Sequence, residues 1–156
     1  YDAKGLLKAA IRDDGPVVYI QHRLLHPLTQ EVPEGEWTVP LGEAAVRREG
    51  TDLTLVATSY AVVKALAAAE IVAPRYSIEV LDPRSLVPLD VETITASVRK
   101  TARLLVVHEA PERGGAGAGH RRGLRGAQEG APGPWEPSSP DALQSPPGGR
   151  LHPPGE

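Results

Sequence analysis

The 156-residue chain has no cysteine, which excludes both disulfide staples and thiolate metal centres. It has no methionine either, so Tyr1 does not read as a natural start and the chain is expected to be the carboxy-terminal piece of a longer protein. No basic stretch followed by an apolar run marks a secretion signal. No apolar run approaches the roughly 18 residues needed to cross a bilayer. A cytoplasmic location without membrane contact is the default expectation. The net charge of -3 is small, and the charges are mixed in sign through the first 119 residues. No continuous basic face can track a phosphate backbone, so nucleic acid is not an expected partner.

What is present is unevenly distributed. Ala3, Leu6, Leu7, Ala10 and Ile11 recur at helical spacing after Asp2, a suitable N-cap, and Gly15 and Pro16 end the pattern. The run Val17 to Ile20 predicts a buried strand. Between Gln21 and Pro40 no period is sustained, and Pro27, Pro33, Gly35 and Pro40 punctuate an extended linker. Regular alternation then begins: strand Leu53 to Ala57, helix from about Ser59 to Val72, strand Ile78 to Leu81, helix from about Asp90 to Lys100, strand Leu104 to His108. Near-continuous apolar strands alternating with helices predict an α/β fold, a mostly parallel sheet with helices on both faces. Ser59 and Asp90 suit N-caps, and Pro74 follows the first of these helices.

Residues 120–156 break the order. They hold 15 Pro plus Gly among 37 and no Val, Ile or Thr, a composition that predicts disorder.

Four segments, Tyr1 to Val18, Glu31 to Gly42, Leu81 to Asp90 and Val106 to Pro111, together resemble the β subunit of the thiamine-dependent 2-oxo acid dehydrogenases of the pyruvate, acetoin and branched-chain type. The resemblance runs from Tyr1 to about Gly117. It implies that residues 1–22 are the last helix and strand of a pyrimidine-binding domain. Residues 23–40 would be a linker, and 41–119 an incomplete domain like the carboxy-terminal domain of transketolase. Past Gly117 the family continues with an acidic residue and Ile-Ala-Ala, whereas this chain has Gly119-His-Arg-Arg. Reverse translation of that stretch, stepped by one base, permits Asp-Ile-Ala-Ala. The same step applied from Asp141 permits a sequence like the family's terminus, so residues 120–156 are expected to be an out-of-frame tail.

The resemblance assigns no catalytic and no cofactor-binding residue to this chain. In the family the glutamate that activates the thiamine pyrimidine lies upstream, and the diphosphate with its magnesium sits on the α subunit. Thiamine diphosphate and magnesium thus belong to the parent complex and are not expected to bind this chain alone. The resemblance does carry over one metal site, a structural monovalent cation such as potassium, held by carbonyls of Ala10, Ile11, Asp13 and Gly15. Carbonyls at a helix C-terminus suit a hard cation because they are unpaired and carry the negative end of the dipole. A helix C-cap with solvated aspartates accounts for the same residues.

Other candidates are weaker. His22 and His26 have zinc-ligand spacing, but Pro27 and a missing third ligand favour loop histidines. His108 and Glu109 close a strand at the end where open α/β sheets place ligand-contacting groups. Gly114 to Gly119 imitates a dinucleotide fingerprint with the wrong glycine spacing. Tyr60 and Ala65 to Ala69 read as the start and buried face of a helix. By resemblance the parent is an α2β2 enzyme that decarboxylates a 2-oxo acid, pyruvate foremost, and passes the acyl group to a lipoyl acyltransferase. A docking module without catalysis, or a frameshifted product without function, would fit the same residues.

Overall fold

The computed structural model describes residues 1–110, so the tail and the Gly114–Gly119 run lie outside the described residues. Four strands form one sheet: β1 (Ala45–Arg48), β2 (Leu53–Ala57), β3 (Ile78–Asp82) and β4 (Leu104–Val107). Helix α1 (Asp2–Arg12) precedes them, α2 (Tyr60–Val72) joins β2 to β3, and α3 (Val91–Thr101) joins β3 to β4. The strand order is β1-β3-β2-β4, with β3, β2 and β4 parallel and β1 antiparallel to β3. The α/β fold with a mostly parallel sheet is therefore as expected, and β2 and β4 are adjacent.

Alternation along β2 sends successive side chains to opposite faces. Leu55 and Ala57 pack with Ala61, Val62, Ala65 and Ala69 of α2 and with Val80. Val56 packs on the other face with Leu81 and Ile94, the latter from α3. Ala61, Ala65 and Ala69, one at every fourth position, let α2 lie close on the sheet; of the stretch Ala65 to Ala69 expected as the buried face, Ala65 and Ala69 are buried while Ala67 and Ala68 are exposed. Each fully buried aliphatic side chain contributes about 1.5 to 3 kcal/mol. Asp90 caps α3 as anticipated, its Oδ1 accepting the Thr93 N–H at 2.9 Å, while its Oδ2 accepts the Ala44 N–H at 2.9 Å. Burial opposes ionisation of this carboxyl, but the two backbone donors outweigh it and hold its pKa below the ordinary value.

Four local expectations are corrected. Val17 to Ile20 is not a buried strand: Val18 is 85% and Ile20 80% exposed. No strand among the described residues lies beside it, and extended backbone without a partner makes no ladder. Asp2 does not cap α1; Tyr1 occupies that position and Asp2 is the first helical residue, its carboxylate bound to Arg47 and Arg84. The helix ends at Arg12 and not at Gly15, because Asp13 is extended (φ -71°, ψ 140°) and its Oδ1 accepts the Gly15 N–H at 2.8 Å. Ser59 stands at the N-cap of α2 but makes no capping hydrogen bond with its side chain.

Strand β1 had no counterpart in the sequence reading. Its register slips between Val46 and Arg48, and the bulge turns Arg47 toward Asp2 and Asp82.

Candidate functional site at the strand ends

The chain leaves β2 through α2 to reach β3 on one side, then crosses through α3 to β4 on the other. The sheet's order therefore reverses between β2 and β4. Such a switch point leaves a crevice outside the carboxyl ends of the two strands, where open α/β sheets take ligands. Ala57 and Val107, the last residues of the two strands, are in register, so the segments that follow them emerge side by side. Ser59 and Tyr60 continue from β2, and His108 and Glu109 from β4.

A third segment reaches this place. His22 lies before a single 3-10 turn, Arg23–Leu25. Its imidazole stacks on the Tyr60 ring with centroids 5.3 Å apart and planes 11° from parallel, the offset arrangement that aromatic quadrupoles favour. Its Nε2 is 2.8 Å from Glu109 Oε2, and its Nδ1 accepts the Leu24 N–H at 3.2 Å. His108 Nδ1 accepts the Ala110 N–H at 3.1 Å. The convergence of these residues had no local signal, since the three segments are far apart in sequence. His22 and His26 do not share a helical face; they flank the short turn at its two ends.

The residues expected to hold a monovalent cation lie elsewhere, at the end of α1. Ala10 and Ile11 are in its last turn, Asp13 is the C-cap and Gly15 lies beyond. Among the described residues no three His, Asp or Glu side chains converge as metal ligands do. A shallow depression lined by Ile71, Val72, Pro74, Arg75 and Tyr76 lies at the far end of α2 from Tyr60.

Ionic networks hold this arrangement. Asp2 of α1 binds Arg47 of β1 and Arg84 after β3, and both arginines also engage Asp82 or nearby carbonyls. Burial tends to lower the Arg47 pKa, but Asp82 and Asp2 more than offset this and raise it. At the amino end of the strands, Glu79 is 1% exposed and is bonded by Ser97 and Lys100 of α3. Burial raises the Glu79 pKa, and the hydrogen bonds from Lys100 and Ser97 reverse that, leaving it below the ordinary value. The segment before β1 is tied to α1 by Trp37, which stacks on Tyr1 at 5.6 Å, and by Glu36, which binds Lys8 and Arg12. Hydrogen bonds from Arg12 and Lys8 hold the Glu36 carboxyl down at about 2. No helix among the described residues is long and apolar enough to cross a membrane.

Residues 42–143 match the family described as transketolase, C-terminal domain. The chain is 50% identical over 120 residues to the pyruvate dehydrogenase E1 component subunit beta of Bacillus subtilis strain 168, and 46% identical over 120 residues to that of Staphylococcus aureus strain Mu50. In each case the match covers 76% of this chain and 37% of the relative. Among solved structures, a split-gene transketolase described as an inactive beta4 tetramer superposes with a TM-score of 0.56 at 32% identity, over 62% of this chain and 33% of that one.

Proposed function

The chain belongs to the transketolase C-terminal domain family, and on that premise we propose that it serves as the carboxy-terminal part of the β subunit of a thiamine-dependent 2-oxo acid dehydrogenase. The observation that carries this reading is the 50% identity to a pyruvate dehydrogenase β subunit over 120 residues. Because the chain spans 37% of that relative's length, the activity is proposed for the parent assembly. There, an α2β2 enzyme in the cytoplasm decarboxylates pyruvate and transfers the acyl group to a lipoyl acyltransferase. Thiamine diphosphate, held with magnesium outside this chain, supplies the electron sink for decarboxylation.

The work assigned to this chain is positional. The Asp2, Arg47 and Arg84 clasp fixes α1 on the sheet, so whatever precedes α1 in the parent is held in a set orientation to the domain. The carbonyls of Ala10 and Ile11 are among the last four of α1 and have no intrahelical partner. With those of Asp13 and Gly15 they suit a structural potassium ion.

Split reconstitution tests the reading. This chain would be co-expressed with the α subunit of Bacillus subtilis pyruvate dehydrogenase and, as a separate polypeptide, the unmatched part of its β subunit. Pyruvate-dependent ferricyanide reduction is expected only when all three are present. Absence of both activity and a ternary complex on sizing would overturn the proposal.

A further inference from the structure

We propose that the crevice between the carboxyl ends of β2 and β4 is a receptor for a planar aromatic ring carrying an N–H donor, and that the chain fills it with its own His22. The switch point is where this class of sheet receives ligands from solution. Here the group lying across the strand ends is an imidazole from the same polypeptide. Tyr60, just beyond β2, supplies the ring face, with 5.3 Å between centroids. Glu109, just beyond β4, supplies the acceptor, 2.8 Å from Nε2. Each strand contributes one half of the recognition, and the ring needs both.

An incidental surface ion pair would leave the imidazole free to rotate and be worth little. This one is held on three sides. Because Nδ1 accepts the Leu24 N–H, the neutral ring carries its proton on Nε2, where it is donated to Glu109. Both nitrogens are thereby used, and one ring face is covered. The side chain of His22 is 27% exposed and that of Glu109 54%, so the rim of the site is open to a small molecule once the tethered ring is removed.

The arrangement makes His22 a latch. It pins the start of the 23–40 segment to the strand ends, while Glu36 and Trp37 pin the other end of that segment to α1. Release of the imidazole frees the first anchor and leaves the second in place.

The experiment removes the tethered ring and offers a free one. In the full chain, His22→Ala should lower Tm, and imidazole at about ten times its Kd should restore it by about 4 °C in a saturable manner. The unsubstituted chain should not respond, and neither should the double variant His22→Ala, Glu109→Leu, which has no acceptor for the ring N–H. Ammonium, a cation without a ring, should not rescue. An equal imidazole response in all three proteins, none in His22→Ala, or rescue by ammonium would overturn the proposal. Should His22→Ala fail to fold, the unsubstituted chain still decides the matter. The His22 ring protons should resonate upfield through the Tyr60 ring current and lose that shift in Tyr60→Leu; ring protons at their free-peptide positions would overturn it. Neither readout depends on the activity of the parent enzyme.

Discussion

Asp2 Oδ1 accepts a hydrogen bond from Arg84 Nη1 at 3.2 Å, although 82 residues separate them. The same carboxylate also binds Arg47, and all three side chains are less than a third exposed. Asp2→Asn removes the charge while keeping the shape. It should cost about 1 to 2 kcal/mol, the scale of hydrogen bonds to charged groups with partial compensation. Urea unfolding would measure this, and a double-mutant cycle with Arg84→Ala should show coupling between the two positions. Strict additivity would mean that Asp2 and Arg84 are not coupled.

Glu79 acts on the acid limb of stability and Lys100 on the alkaline limb. The Glu79 carboxyl has its pKa lowered in the folded state, so its contribution is present above the unfolded glutamate value of about 4.3 and is lost as pH falls through the folded value. Asp90, also lowered, acts with the same sign. Lys100 is raised by Glu79 and Glu49, so its contribution is present below the unfolded lysine value and lost as pH rises through the folded one. Glu79→Gln should flatten the decline in Tm below about pH 4.3. Lys100→Met should be the more damaging change at neutral pH, because it leaves a buried carboxylate uncompensated. The reverse ranking would refute this account.

Gly50 is required by a close approach of backbone to backbone. A Cβ there would lie 2.1 Å from Glu79 N and 2.2 Å from Ile78 C, and no flexible side chain is available to yield. Gly50→Ala should destabilise by about 2 to 4 kcal/mol, in the range for forced backbone shifts and strain. A denaturant midpoint unchanged from that of the natural chain would show that β3 can move aside.

Ile94 and Val87 make a matched pair for the core. Ile94 is 1% exposed between the sheet and α3, while Val87 is 90% exposed in the loop before α3. Ile94→Ala should cost about 2 to 5 kcal/mol, the transfer term plus the cavity left behind. Val87→Ala should change stability by less than about 0.5 kcal/mol. Thermal unfolding of both variants would compare them directly.

The proposed cation site makes a prediction about salt identity. If carbonyls of Ala10, Ile11, Asp13 and Gly15 hold potassium, exchange of KCl for equimolar tetramethylammonium chloride should lower Tm, since a ligand that binds only the folded state stabilises it by mass action. Identical melting in the two salts would remove the site.

Much of the layer architecture was legible beforehand because its signals are local. The apolar runs at Leu53 to Ala57 and Leu104 to His108 and the helical period through Ala65 and Ala69 each carry their own periodicity, and Asp90 carries its own cap. Strand β1 was not legible. Four residues, two of them arginine, carry no apolar period, and only pairing with β3 makes them a strand. Val17 to Ile20 failed in the opposite sense, having the composition of a buried strand without a neighbour among the described residues to complete it.

By itself the sequence determined the α/β alternation, the cap of α3 and the family resemblance, all of which are written in short windows of the chain. Only the tertiary structure decided that Asp2 clasps two arginines instead of capping its helix. Only it decided that Glu79 can be a buried anion on a strand that otherwise reads as core, and that His22, Tyr60 and Glu109 meet. A carboxylate's role depends on which charge lies within about 4 Å, and that distance is set by the order of strands in the sheet. No window of sequence contains it.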